Sequence, residues 1–231
     1  KGYFEKPPAD AEAVELEGQG YDTLVRPSAA FSTLGWFDDP LLSTMLRYDE
    51  VTLAEVVIHE LLHNTTYVAG HADFDESFAN FVGNRGAIEF FASRNDVGSV
   101  ERGTLAWNDT LAFSEFLSRN VERLRFEYDR GLTLDKRNRL FKEMQSELHG
   151  LALHTDIYRT FATRPLNNAI ILHYLVYSDR LRLFEDIWQQ RSQDLALTIQ
   201  AVRAVADAHC DDPFAAVQSL RANAAATTAT R

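Results

Sequence analysis

The sequence predicts a mainly α-helical fold with a small β element, an α+β chain in which helices supply nearly all of the core. Three observations carry that expectation. Leu, Phe and Tyr recur at helical spacing through most of residues 109–222, with Arg and Glu between them. Capping-box spacings, Thr52 with Glu55 and Asp73 with Glu76, open two apolar stretches in the first half. Only residues 21–26 and 29–34, either side of Pro27, have the β-branched and aromatic content of strands.

The totals bound the answer further. With 231 residues, 45% hydrophobic and 11% aromatic, the chain can bury one core over residues 1–223. Residues 224–231 are low-complexity Ala/Thr and are expected to be a disordered tail. A formal net charge of -11, from 34 acidic and 23 basic side chains, argues against a nucleic acid or an anionic membrane surface as partner. A neutral or cationic substrate fits better. The single cysteine, Cys210, excludes an internal disulfide and a thiolate metal cage. No stretch approaches the roughly 18 to 20 apolar residues of a membrane span. The first residues, from Lys1, are not a signal peptide and lack an initiator Met, so an N-terminal portion is expected to precede them. Nothing in the sequence specifies an oligomeric state.

Taken in order, residues 9–17 are Ala/Glu-rich and helix-favouring, and Gly18 and Gly20 supply the stop. The two short extended pieces follow, ended by a turn from Gly35 to Pro40. Residues 52–67 read as a helix with Val56, Val57, Leu61 and Leu62 buried. A short loop containing Gly70 leads to an apolar helix from Asp73 towards Phe91. Residues 109–130 and 134–160 form a helical hairpin broken at Gly131. Shorter helices are predicted after Pro165 and over residues 181–190, 195–208 and 214–222. No repeat of solenoid period occurs.

The chemistry concentrates at His59-Glu60-Leu61-Leu62-His63. On a helix, positions four apart share a face with Cβ atoms about 5 to 6 Å apart, so both imidazoles can address a single zinc. Glu60 lies about 100° round the helix and can take the proton of a zinc-activated water as general base. A catalytic zinc wants three protein ligands and one open position. The candidates for the third are His71, Asp73, Asp75 and Glu76, of which Glu76, in the first turn of the next helix, is favoured. His71 follows His63 by eight residues and does not fit the H-E-x-x-H-x-x-G-x-x-H pattern. Asn80, four residues past Glu76, could accept the second N–H of a ligating histidine.

Five blocks carry a resemblance beyond the zinc motif: Lys1-Gly2-Tyr3-Phe4, residues 30–42, the H-E-x-x-H stretch, Phe74-Asp75-Glu76-Ser77-Phe78-Ala79 and Asn167-Asn168-Ala169. Together they resemble a bacterial family of zinc aminopeptidases in the gluzincin group, across residues 1–177. The resemblance implies a zincin-like helical core, one zinc per chain on His59, His63 and Glu76, and Glu60 as catalytic base. It also implies a cell-envelope or periplasmic location, with the cytoplasm as alternative. Family members often have Asn-Glu where this chain has Asp75-Glu76, and a small Ala at Leu62.

Peptide hydrolysis needs a donor for the oxyanion; Tyr177 is favoured over Tyr174 and His173. Ala30, Phe31, Ser32, Thr33 and Leu34 could form an edge strand that pairs with the backbone of a peptide substrate. Asp38, Asp39 and Asp75 are candidates for binding a substrate amine. His149, His154 and His209 read as surface or packing residues, and Trp36 and Phe37 as core anchors. Asn167 and Asn168 could equally be helix caps. Two alternatives to an aminopeptidase stand beside this reading: a zinc endopeptidase, and a non-catalytic helical module in which zinc is structural.

Overall fold

The computed structural model describes residues 1–27 and 45–228, with side chains as far as Arg221. The described residues form ten α-helices and one turn of 3-10 helix, Met45–Arg47. The first helix, α1 (Lys6–Gly18), buries no side chain. The site is carried by α2 (Glu50–His63) and α3 (Ala72–Ser93), which pack against each other. Behind them lie α4 (Val97–Asp129), α5 (Leu134–His149), α6 (Arg159–Thr163) and α7 (Asn168–Ser178). The chain closes with α8 (Leu181–Gln190), α9 (Leu195–Ala208) and α10 (Pro213–Thr228). No helix among the described residues is long and apolar enough to cross a membrane.

The expected β element is corrected: no strand forms among the described residues. Residues 21–26 are irregular, because a strand needs a partner ladder and this segment is held by side chains instead. Asp22 accepts from Arg137 and from the Asn168 backbone N–H, both at 3.0 Å. The Thr23 carbonyl accepts from Asn167 at 2.9 Å. The second piece, residues 29–34, lies outside the described residues, as do the expected turn after it and Trp36, Phe37, Asp38 and Asp39.

Helix starts also differ from the capping-box expectation. Asp49 caps α2, accepting from the Val51 and Thr52 backbone N–H groups at 3.0 and 3.1 Å and from the Thr52 hydroxyl. Helix α2 therefore begins two residues before Thr52, which releases Glu55 from a capping role. It also stops at His63, short of residue 67. Val57 and Leu61 are exposed, while Leu62 is buried. No side chain caps α3 at His71; Asp73 bonds only its neighbour's N–H, leaving Glu76 to point elsewhere. Helix α4 begins at Val97, capped by Asp96, well before the predicted residue 109. The helix expected over residues 134–160 ends at His149, and His154 and Thr155 in the segment after it bond instead to the buried Asp109 carboxylate. That carboxylate accepts from the His154 and Thr155 backbone N–H groups.

Two apolar clusters share α4. Trp107 and Leu111 join Phe74, Phe78, Phe81, Phe184 and Phe214 in one. Phe113, Phe116 and Leu117 join Phe141, Met144, Phe161 and Ile170 in the other. Small residues let α2 and α3 approach closely. A Cβ on Gly83 would fall 2.8 Å from the Glu55 carbonyl oxygen and 3.2 Å from the His59 Cβ. A Cβ on Gly86 would fall 2.9 Å from Ile58. Glycine at both positions removes that clash and draws the helices together.

Candidate metal centre

The close approach sets a register. Glu76 meets His59 and Asn84 meets Glu55, so α2 and α3 run antiparallel with two polar pairs facing each other, one turn apart on α2 and two turns apart on α3. His59 Nε2 is 3.1 Å from Glu76 Oε2, His63 Nε2 is 3.7 Å from the same oxygen, and the two Nε2 atoms are 3.2 Å apart. Tetrahedral ligands about 2.0 to 2.1 Å from a zinc ion lie roughly 3.3 to 3.4 Å from one another. One ligand atom from each of the three residues lies within 4.8 Å of the others, the arrangement a metal ion requires. The donor set fits zinc.

Of the four candidates for the third ligand, only Glu76 reaches both imidazoles. Asp75 is buried and lines the same cavity, but it makes no hydrogen bond or ion pair to either imidazole: Oδ1 accepts the Val68 N–H at 2.9 Å and Oδ2 has no partner. His71 sits at the N-cap position and Asp73 is exposed. The electrostatics separate the two adjacent carboxylates. Burial pushes Glu76 up, but hydrogen bonds and charge from His59 and His63 outweigh it and hold the carboxyl at about 2. Burial pushes Asp75 up to about 6, opposed only in part by the Val68 N–H. Burial works against a charge on His63 too, but Glu76 wins and raises that imidazole.

Glu60 lines the cavity beside the three. Tyr177 approaches from α7, its ring 6.1 Å from that of His59. Its position follows from how α7 ends. The last carbonyls of a helix lack partners within it. Here the Val176 carbonyl accepts from the Ser77 hydroxyl at 3.0 Å, that of Tyr177 from Asn80 Nδ2 at 2.6 Å, and that of Ser178 from the Ser114 hydroxyl at 2.6 Å. Asn80 thus supports Tyr177 and makes no hydrogen bond to a histidine ring; its Oδ1 accepts from Asn84. Burial, reinforced by the charge of Glu76, raises Tyr177, so its hydroxyl stays protonated. Arg26 donates to that hydroxyl at 3.3 Å.

Tyr174 belongs to the second apolar cluster, edge-on to Phe161 and Phe113. His173 packs edge-on to Tyr177, and burial together with Arg26 and Arg164 lowers it to about 4, so it is neutral. Asn167 caps α7 through the Ile170 N–H at 2.9 Å, and Asn168 donates to the Tyr128 hydroxyl at 2.7 Å. These two asparagines are structural. Residues Ala30 to Leu34 fall outside the described residues.

The cavity measures about 650 Å³ and runs from His59, His63 and Glu76 past Asn80 to Glu55, Asn84, Thr110 and Tyr158. Sequence reading missed these four and Arg26. For Glu55 and Asn84 the signal is a pair of stripes, Glu55, His59 and His63 at four-residue steps on α2 and Glu76, Asn80 and Asn84 on α3; Thr110, Tyr158 and Arg26 carry no such spacing. Burial pushes Glu55 up to about 7 against the opposing hydrogen bond from Asn84.

Fold and site together define a class: an all-helical chain, over the described residues, with a two-histidine, one-glutamate cluster built on an H-E-x-x-H helix and the helix after it. The comparison with known families gives the second step. Residues 1–214 match the family described as "Putative aminopeptidase", and the chain belongs to that family. No curated protein and no solved structure matches the chain.

Proposed function

We propose that the chain is a zinc-dependent peptidase that removes residues from the amino terminus of peptides. The observation that carries this reading is the convergence of His59, His63 and Glu76 at the wall of a 650 Å³ cavity. Membership of the aminopeptidase family supports it independently. The three side chains would hold one zinc ion with the cavity side open, where the ion supplies Lewis acidity and an activated water near neutral pH.

The remaining work falls to the chain's own groups. Glu60, next to His59 and lining the cavity, accepts the proton of the attacking water and returns it to the leaving amine. The protonated Tyr177 hydroxyl donates to the oxygen on which negative charge develops, and its carbonyl is held by Asn80 so that the ring stays over His59. Neutral His173 beside Tyr177 adds no positive charge that would compete with the metal.

The test is a purified chain assayed on short peptides with metal content measured in parallel. We expect about one zinc per chain and activity lost to chelators. Glu60→Gln should keep the zinc and lose about 10² to 10⁴ in kcat. Tyr177→Phe should lose roughly 10² to 10³ in kcat with little change in KM. Hydrolysis by Glu60→Gln at the rate of the unaltered chain would refute the mechanism. Equal cleavage of free and N-acetylated peptides would make the enzyme an endopeptidase.

A further inference from the structure

The cavity continues beyond the three metal-capable side chains to a second polar floor that the hydrolytic reaction leaves unused. Glu55 stands one turn before His59 on α2, and Asn84 stands two turns past Glu76 on α3. Glu55 Oε1 accepts from Asn84 Nδ2 at 2.9 Å, and no cation pairs with this carboxylate among the described residues. Its neighbours are already committed. The Tyr158 hydroxyl donates to Thr110 Oγ1 at 3.0 Å, and that hydroxyl donates to the Ala106 carbonyl at 2.9 Å. Asn84 also donates to the carbonyl and to the side-chain oxygen of Asn80. Glu55 Oε2 is left as an acceptor without a protein donor among the described residues, in a cavity large enough for a ligand.

A partly buried carboxylate without a counterion is costly, and part of that cost is recovered when a cation hydrogen-bonds to it. Position selects the cation. Four residues of helix rise about 6 Å, so Glu55 lies that far along α2 from His59. The same distance is spanned by one charge-assisted hydrogen bond followed by the two covalent bonds from an α-nitrogen to its carbonyl carbon. A substrate carbonyl at the metal-capable trio would therefore have its own amino group within reach of Glu55, which lines the same cavity. Val56 and Ile157 line the same cavity and offer an apolar wall for the first side chain.

We propose that Glu55, held by Asn84, is the subsite that receives the free α-ammonium group of the substrate's first residue. The assignment rests on the peptidase reading above and names what makes it an exopeptidase. Glu55→Gln keeps the shape and removes the charge.

Two measurements at a pH of about 7.5, between Glu55 and an α-amine near 8, decide the matter. In the first, the preference for leucine p-nitroanilide over its N-acetyl derivative should fall by about 10- to 100-fold in Glu55→Gln, the weight of one charge-assisted hydrogen bond. A loss confined to substrates with Lys or Arg side chains, or no loss, overturns the assignment. In the second, calorimetric binding of leucinamide to Glu60→Gln protein should weaken about 10- to 100-fold when Glu55→Gln is added, with N-acetylleucinamide unaffected. This binding arm needs no turnover. Glu55-dependent leucinamide binding in a chain without peptidase activity upholds the subsite and rejects the reaction; activity indifferent to Glu55 does the reverse. Asn84→Ala, which leaves the carboxylate but frees it to turn, should lower the same preference by a smaller factor, so the result survives any folding defect of one variant.

Discussion

Glu55 shows how a single residue's meaning depends on where a helix starts. Four residues before His59, it reads from sequence as the acidic partner of a capping box with Thr52. Asp49 takes the cap instead, so Glu55 falls further inside the helix and turns into the cavity. The consequence is measurable without any substrate. An acid raised from 4.5 to about 7 binds its proton more tightly when folded. Its favourable contribution is therefore present below about 4.5, declines through the window from 4.5 to 7, and is gone above it. In chelator-treated protein, Glu55→Gln should flatten that decline and stabilise the fold at pH 8 relative to pH 5 by up to roughly 3 kcal/mol. Thermal melts of both proteins at the two pH values test it; parallel curves would show that Glu55 is solvated in the folded state. Glu76 teaches the opposite lesson. Residue type and spacing ranked it first of four candidates, and the geometry leaves it alone in reach of both imidazoles.

At the scale of elements, the site depends on how near two helices can come. Gly83 and Gly86 are unremarkable in sequence, because a helical glycine declares itself only through what faces it. Gly83→Ala must move either the Glu55 backbone or the new methyl, since the Cβ falls 2.8 Å from a carbonyl oxygen that cannot rotate away. We expect a loss of about 1 to 3 kcal/mol in stability. Zinc affinity should fall by about 10-fold or more, because His59 and Glu76 sit on opposite sides of the displaced contact. Gly18→Ala, with nothing within 4 Å of the added carbon, is the matched control and should leave zinc affinity unchanged. Equal zinc affinity for the Gly83 variant and the control would show that α2 and α3 can separate without disturbing the ligands. Helix ends were the least legible feature for a related reason. Residues 150–160 have helical composition, but Gly150 ends α5 and the buried Asp109 gathers the backbone N–H groups that a continued helix would have used.

Across the whole molecule, α4 runs through both apolar clusters, from Trp107 in one to Phe116 and Leu124 in the other. Packing that shares one continuous helix predicts one cooperative unit. The first cluster also encloses Glu185, which accepts from Arg85 and, at 3.1 Å, from Trp107 Nε1, while the Arg85 guanidinium lies 4.0 Å from the Trp188 ring centre. Glu185→Ala leaves a buried cation and an indole N–H unpaired, at an expected cost of about 3 to 5 kcal/mol. Denaturation of that variant followed by tryptophan fluorescence and by far-ultraviolet circular dichroism should give coincident curves. Curves that separate would show that the second cluster, which holds neither Trp107 nor Trp188, unfolds independently.

The sequence by itself determined the predominance of helices, the order of most of them, and the pairing of His59 and His63 on one face. Those properties are local, set by periodicity and by spacing along a single helix. Tertiary structure alone decided which carboxylate meets the imidazoles, that Asn80 supports Tyr177 through its carbonyl, and that Glu55 and Asn84 close the far end of the cavity. It also decided that residues 21–26 are bound by side chains from α5 and α7 and not by a partner strand. Each of these depends on contacts between residues distant in the chain, and on how closely two glycines let α2 and α3 approach.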